Sequence, residues 1–176
     1  MMIKVLITLG MLLISTYSWC ADTKTVLNTE SFELALTNTR INDSDYSDTR
    51  GIYAGFSAPV YVTDYGITSI AIDGGYANLG TITGSTALGD PYSIRMTSVS
   101  LGARATGLIT YNLSGFIKGN LASVKSDSNL DGNNRDMEGQ LAVGLEMHLP
   151  KGLGLNLSYT QFEGDISSIM LGLTLR

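Results

Sequence analysis

The chain has 176 residues, of which 44% are hydrophobic and only 15% charged; it holds 20 glycines, and its mean hydropathy is +0.15. Such values describe a single domain whose apolar residues are spaced out by small and polar ones. Acidic residues outnumber basic ones 16 to 11, for a formal charge of −5, so composition offers no basic patch to neutralise a phosphate backbone, and nucleic acid is excluded as a partner.

The first twenty residues stand apart. Met1 to Lys4 is a short basic start, Val5 to Ile14 is apolar, and Ser18-Trp19-Cys20 resembles a small-x-small cleavage site. That order reads as a Sec signal peptide over residues 1–20, leaving residues 21–176 as the mature domain. The apolar run is about half the roughly 20 residues a spanning helix needs. A lipoprotein cysteine would follow a Leu-small-small sequence, whereas Tyr17, Ser18 and Trp19 precede Cys20. Cleavage after Cys20 removes the single cysteine and the single tryptophan, so the mature chain forms no internal disulfide.

From Ser31 onward apolar residues alternate with small or polar ones, and clusters of Gly, Asp, Asn or Pro interrupt them. Period two predicts strands. In chain order these are Phe32 to Asn42, Gly51 to Tyr61, Ile67 to Gly80, Tyr92 to Gly107, Tyr111 to Lys125, Gln140 to His148, Leu153 to Thr160 and Ser168 to Leu175. The last is the clearest, with Ile169, Leu171, Leu173 and Leu175 on one side and Ser168, Met170, Gly172 and Thr174 on the other. Connections near Val62 to Gly66, Leu108 to Thr110 and Leu149 to Gly152 are tight. Those at Asp43 to Thr49, Thr81 to Pro91 and Ser126 to Arg135 are longer and polar, and the last, Glu163 to Ser167, is short. Short turns at one end and longer loops at the other fit an all-β, eight-stranded antiparallel up-and-down transmembrane β-barrel in the outer membrane, with periplasmic turns and extracellular loops.

Charge decides which face meets lipid. Glu33, Asp73, Arg104, Lys118, Glu138 and Glu146 share the non-apolar parity, and Arg176 continues it. Turning Arg104 or Lys118 toward lipid would cost about 2 to 4 kcal/mol each near the bilayer midplane. The six side chains are therefore expected to line the lumen as an ionic network, with the apolar set outside. A soluble lipocalin-like barrel would need the reverse. Tyr61, Tyr65 and Tyr111 at the turn end, and Tyr76, Tyr159 and Phe162 toward the loops, are candidates for two interfacial girdles.

Three segments carry a resemblance: Gly74-Gly75-Tyr76-Ala77-Asn78-Leu79-Gly80, Gly152-Leu153-Gly154-Leu155-Asn156-Leu157-Ser158-Tyr159, and Met170-Leu171-Gly172-Leu173-Thr174-Leu175-Arg176. The sequence resembles the OmpA-like outer-membrane β-barrel family over essentially the whole mature chain. The resemblance implies an eight-stranded barrel, insertion by the outer-membrane assembly machinery, and roles in envelope integrity, adhesion or serum resistance. Such barrels usually end in Phe or Trp, and here Leu175-Arg176 stands in that place.

Catalytic chemistry finds little support. The single histidine, His148, falls at the turn end beside Leu149-Pro150, without the His-x-Ser of a lipid A deacylase, and reads as a polar lumen or interface residue. Glu138 and Glu146 lie eight residues apart on one strand, too far to share acid/base work, and read as ion-pair partners. The sharpest motif runs from Asp127 to Glu138. It places Asp127, Asn129, Asp131, Asn133 and Glu138 as in a twelve-position calcium loop. No helices flank it and Asn134 fills the usual apolar position, so a polar hairpin loop is the preferred reading and calcium the weaker alternative. The expected function is non-enzymatic: a structural or surface-interaction protein meeting outer-membrane lipid, lipopolysaccharide and a host or surface ligand through its loops. The alternative is a small porin or transporter-like channel; an enzyme ranks third and a secreted binder fourth.

Overall fold

The computed structural model describes residues 27–41, 48–63, 67–85, 91–129, 132–163 and 166–176. The signal segment 1–20, the start of the mature domain, Tyr65 and Asp131 lie outside them. Eight strands follow one another: β1 (Ser31–Ile41), β2 (Thr49–Val62), β3 (Thr68–Ser85), β4 (Pro91–Thr110), β5 (Leu113–Ser128), β6 (Gly132–His148), β7 (Leu153–Phe162) and β8 (Ile166–Leu175). Each pairs antiparallel with its sequence neighbour, and β8 closes on β1, Leu34 opposite Leu173. Closure leaves no sheet edge along the shared part of the wall, which is what lets a sheet satisfy its backbone inside a bilayer.

Alternation sets the faces. On β5, Ser114, Phe116, Lys118, Asn120, Ala122 and Val124 are buried, while Ile117 and Leu121 between them are more than half exposed. The outside of the barrel is a belt of exposed aliphatic residues, including Leu34, Leu36, Leu101, Leu141 and Leu171. On β4 the belt runs from Val99 to Ile109. Ten residues span ~33 Å along a strand, or about 25 Å of height at the usual barrel tilt, the thickness of a hydrocarbon band.

One glycine breaks the period. The β3–β4 register shifts between Asn78 and Gly80, and Gly80 adopts φ +103, a backbone state that only glycine enters cheaply. The bulge puts both Leu79 and Ile82 inside, at odd and even positions. Thr49 Oγ1 donates to Leu79 O at 2.6 Å and Asn78 Oδ1 accepts from Gly80 N at 3.1 Å, which holds the kink.

Boundaries differ from the sequence reading at the loop end. Strand continues through Thr81 to Ser85, and from Gly132 to Arg135, where loops were expected. Asp127 pairs with Asn133 and Ser128 with Gly132, so the expected loop Ser126 to Arg135 is mostly hairpin. Above the bilayer both faces of a hairpin are wet, so the apolar alternation that marks a strand disappears there. At the opposite end, β4 runs on through Leu108 to Thr110 and the turn is Tyr111-Asn112, one step later than expected. β3 to β6 hold 18, 20, 16 and 17 residues against 10 each for β7 and β8. Since about 9 to 11 residues cross a bilayer, β3 to β6 project beyond their neighbours as a wall on one side of the mouth.

Candidate functional site

The interior has two layers. Toward the turn end it is ionic. Arg104 on β4 and Lys118 on β5 stand directly opposite each other, and both are buried. Lys118 Nζ lies 3.1 Å from Glu33 Oε2 and 3.3 Å from Asp73 Oδ2, and Asn120 Nδ2 donates to Asp73 Oδ1 at 3.2 Å. Arg104 Nη2 donates to Glu146 Oε2 at 2.7 Å, and its Nε donates to Thr106 Oγ1 at 3.1 Å. Arg176 Nη2 reaches Glu146 Oε1 at 2.5 Å, and its Nη1 is 3.1 Å from His148 Nδ1. Three cations thus meet three carboxylates. The compensation matters because an unpaired ion in a low-dielectric interior is costly.

Aromatic faces complete the layer. The Arg104 guanidinium sits 4.0 Å from the centre of the Phe116 ring, and Lys118 Nζ lies between Phe116 and Tyr53 at 5.4 and 5.5 Å. Each cation is held by charge on one side and by π density on another.

Toward the loop end the interior turns apolar. Leu79, Ile82, Met96, Val124, Phe162 and Met170 pack together, with Ala77 and Ala122 between them. Phe162 is 1% exposed and sits inside, not in an interfacial girdle as expected; its parity on β7 matches that of Asn156, Ser158 and Thr160, which also point inward. Tyr61, Tyr76, Tyr111 and Tyr159 are all about half exposed on the outside.

The structure brings together Glu33, Asp73, Arg104, Lys118 and Glu146. Glu138 lies farther toward the mouth, opposite Ala122 and eight residues from Glu146. Sequence reasoning missed Tyr53 and Phe116 as partners of the cations, although strand parity points both inward. It missed the Arg176 to Glu146 contact because the pair depends on the register of β6, β7 and β8, which brings the chain end alongside His148 and Glu146. The residues of the calcium pattern are not gathered. Asp127 and Asn133 are cross-strand partners, Glu138 lies five ladder positions below, and Lys125 Nζ takes the Asp127 carboxylate at 2.8 Å. Paired strands hold these groups apart, where a calcium loop must curl them around one point. Among the described residues no group of three or more His, Cys, Asp or Glu side chains is placed to hold a metal ion.

No family model matches the sequence, and no curated protein aligns with it significantly. Solved structures do match in three dimensions. The attachment invasion locus protein Ail of Yersinia pestis, in complex with the heparin analogue sucrose octasulfate, superposes with a TM-score of 0.54 at 13% identity, over 83% of this chain and 96% of Ail. The N-terminal β-barrel domain of Pseudomonas aeruginosa OprF matches with a TM-score of 0.51 at 17% identity, over 82% and 96%. A designed transmembrane β-barrel matches at 0.52 and 10% identity, over 84% and 94%. The fold is that of a small eight-stranded outer-membrane β-barrel. At these identities the likeness concerns fold alone.

Proposed function

We propose that this barrel resides in the outer membrane of a Gram-negative envelope and acts without catalysis, as an anchored scaffold whose loop-end surface makes contacts outside the cell. The observation that carries the reading is the division of the molecule. A belt of aliphatic side chains faces outward, the lumen is filled, and β3 to β6 rise beyond the belt as a polar wall. A filled lumen leaves the outer wall and the loop-end hairpins as the surfaces available to a partner. Outer-membrane lipid and lipopolysaccharide surround such a barrel, the assembly machinery inserts it, and a host or surface ligand meets the hairpins. A channel is the less favoured reading, because the layer of Leu79, Ile82, Met96 and Phe162 crosses the interior.

Fractionation of native cells tests the location: the protein is expected with the outer membrane, and unheated and boiled samples are expected to migrate differently in SDS electrophoresis, since closed barrels resist SDS until heated. Recovery in the periplasm, with identical migration, would reject the reading. Cells carrying a shortened β5–β6 hairpin, tested for adhesion beside the wild type, address the surface role; unchanged adhesion would remove the hairpin as the contact surface.

A further inference from the structure

The outer face of β4, β5 and β6 carries an arrangement that the lumen does not explain. Near the loop end Lys125 and Arg135 stand directly opposite each other across the β5–β6 ladder, and Arg95 lies on β4 opposite Asp127. Like charges facing each other across a ladder destabilise it. Asp127 offsets one of them, with Oδ1 2.8 Å from Lys125 Nζ. Among the described residues no carboxylate forms an ion pair with Arg95 or Arg135. Arg40, at the same end of β1, differs, because Asp48 lies 3.8 Å away. Composition hides this basic patch in an acidic chain; strand register assembles it.

Below the cations, on the same face, the aliphatic belt is interrupted. An open groove of about 580 Å³ lies in the wall. It is bordered by Leu101, Leu121 and Leu141 around Gly119 and Gly139, with the Glu163 carboxylate beside it accepting from Gly139 N at 3.0 Å. A Cβ added at Gly119 would touch nothing, so this glycine leaves open space where other belt positions carry side chains. Leu121 and its partner Gly139 lie four residues from Lys125 and Arg135, ~13 Å along the strand. With strand tilt allowed for, that is about the depth of a headgroup layer.

Cations at headgroup height above a largely aliphatic groove match an amphiphile that carries phosphate and acyl chains. The loop end faces the outer leaflet, whose phosphorylated lipid is lipopolysaccharide. We propose that the outer face of β4 to β6 binds one lipopolysaccharide molecule through its lipid A, with Arg95, Lys125 and Arg135 on the phosphates and acyl chains lying in the groove over Gly119. This rests on the outer-membrane reading above.

Native mass spectrometry of the refolded mature barrel in dodecyl maltoside tests the assignment, with diphosphoryl hexa-acyl lipid A as the probe. The same lipid stripped of phosphate, and phosphatidylglycerol, are run beside it. Wild type is expected to retain one lipid A per barrel, with the stripped lipid and phosphatidylglycerol each at least tenfold weaker. Lys125→Gln with Arg135→Gln is expected to lose at least tenfold, and Gly119→Leu to weaken binding while keeping the preference for phosphate. Equal binding of the stripped lipid, or by the double variant, would overturn the proposal. Equal binding of phosphatidylglycerol would overturn the assignment to lipid A in favour of any anionic lipid. The stripped-lipid arm uses wild type alone, so it stands even if a variant fails to fold. Each sample is also run unheated and boiled: a barrel that keeps its heat-dependent migration but ignores lipid A refutes this inference only, whereas a wild type without that shift refutes the barrel reading as well.

Discussion

The two halves of the lumen solve one problem by opposite chemistry. Near the turn end the interior holds three cations and three carboxylates in mutual contact. Near the loop end, a few residues away on the same strands, Leu79, Ile82, Met96, Phe162 and Met170 fill it with hydrocarbon. An ionic layer specifies its geometry, since each charge must find its partner, but its net stabilisation over an apolar filling is small. The apolar layer has no such partners to satisfy and excludes water by packing alone. The comparison suggests that the ionic half sets which strands meet and the apolar half seals the lumen.

Removing one ionic partner is expected to have the largest effect. Glu146→Ala leaves Arg104 and Arg176 facing each other without their shared carboxylate, at a cost of about 3 to 5 kcal/mol. Urea unfolding in lipid vesicles measures it, and a loss below 1 kcal/mol would mean the network contributes little. Truncation in the apolar half should cost a comparable amount: Phe162→Ala, at a fully buried position, about 3 to 5 kcal/mol. The two halves separate more sharply in planar bilayers. Wild type should give no steady conductance, because an eight-stranded barrel has room only for its own side chains. Leu79→Ala with Phe162→Ala should give brief openings; steady conductance by the wild type would instead favour the channel reading.

The bulge tests how the apolar half is built. Gly80→Ala forces a side chain into a left-handed backbone state and against Thr49 Cβ at 2.8 Å, at about 1 to 2 kcal/mol. An unchanged melting temperature would show that the kink is not required to bring Leu79 and Ile82 inward. The smallest effect is expected at the rim. Asp127→Ala removes a partly exposed pair with Lys125, worth less than about 1 kcal/mol, and millimolar calcium should not move the melting temperature of wild type or variant. A calcium-dependent rise abolished by Asp127→Ala would restore the metal reading.

What was legible in the sequence follows from the same contrast. Period two located eight strands, and the burial cost of Arg104 and Lys118 turned the charged parity inward, because both rules act residue by residue. The apolar half was not legible: Phe162 and Leu79 look like belt residues until β7 parity and the Gly80 bulge are known. The upper reaches of β3 to β6 escaped because wet hairpins carry no alternation, so Asp127 to Glu138 read as a loop. The Lys125 to Arg135 pair depends on register, which a one-residue slip would abolish.

Which face meets lipid is the claim on which all of this stands. The chain from residue 21 onward contains no cysteine, so single cysteines at Leu141, Ala142 and Val143 can carry nitroxide labels in a barrel reconstituted into bilayers. Labels at Leu141 and Val143 should be relaxed strongly by oxygen, which dissolves in lipid, and the label at Ala142 by neither oxygen nor a water-soluble nickel chelate. Strong oxygen relaxation at Ala142, with nickel access at Leu141 and Val143, would contradict the account.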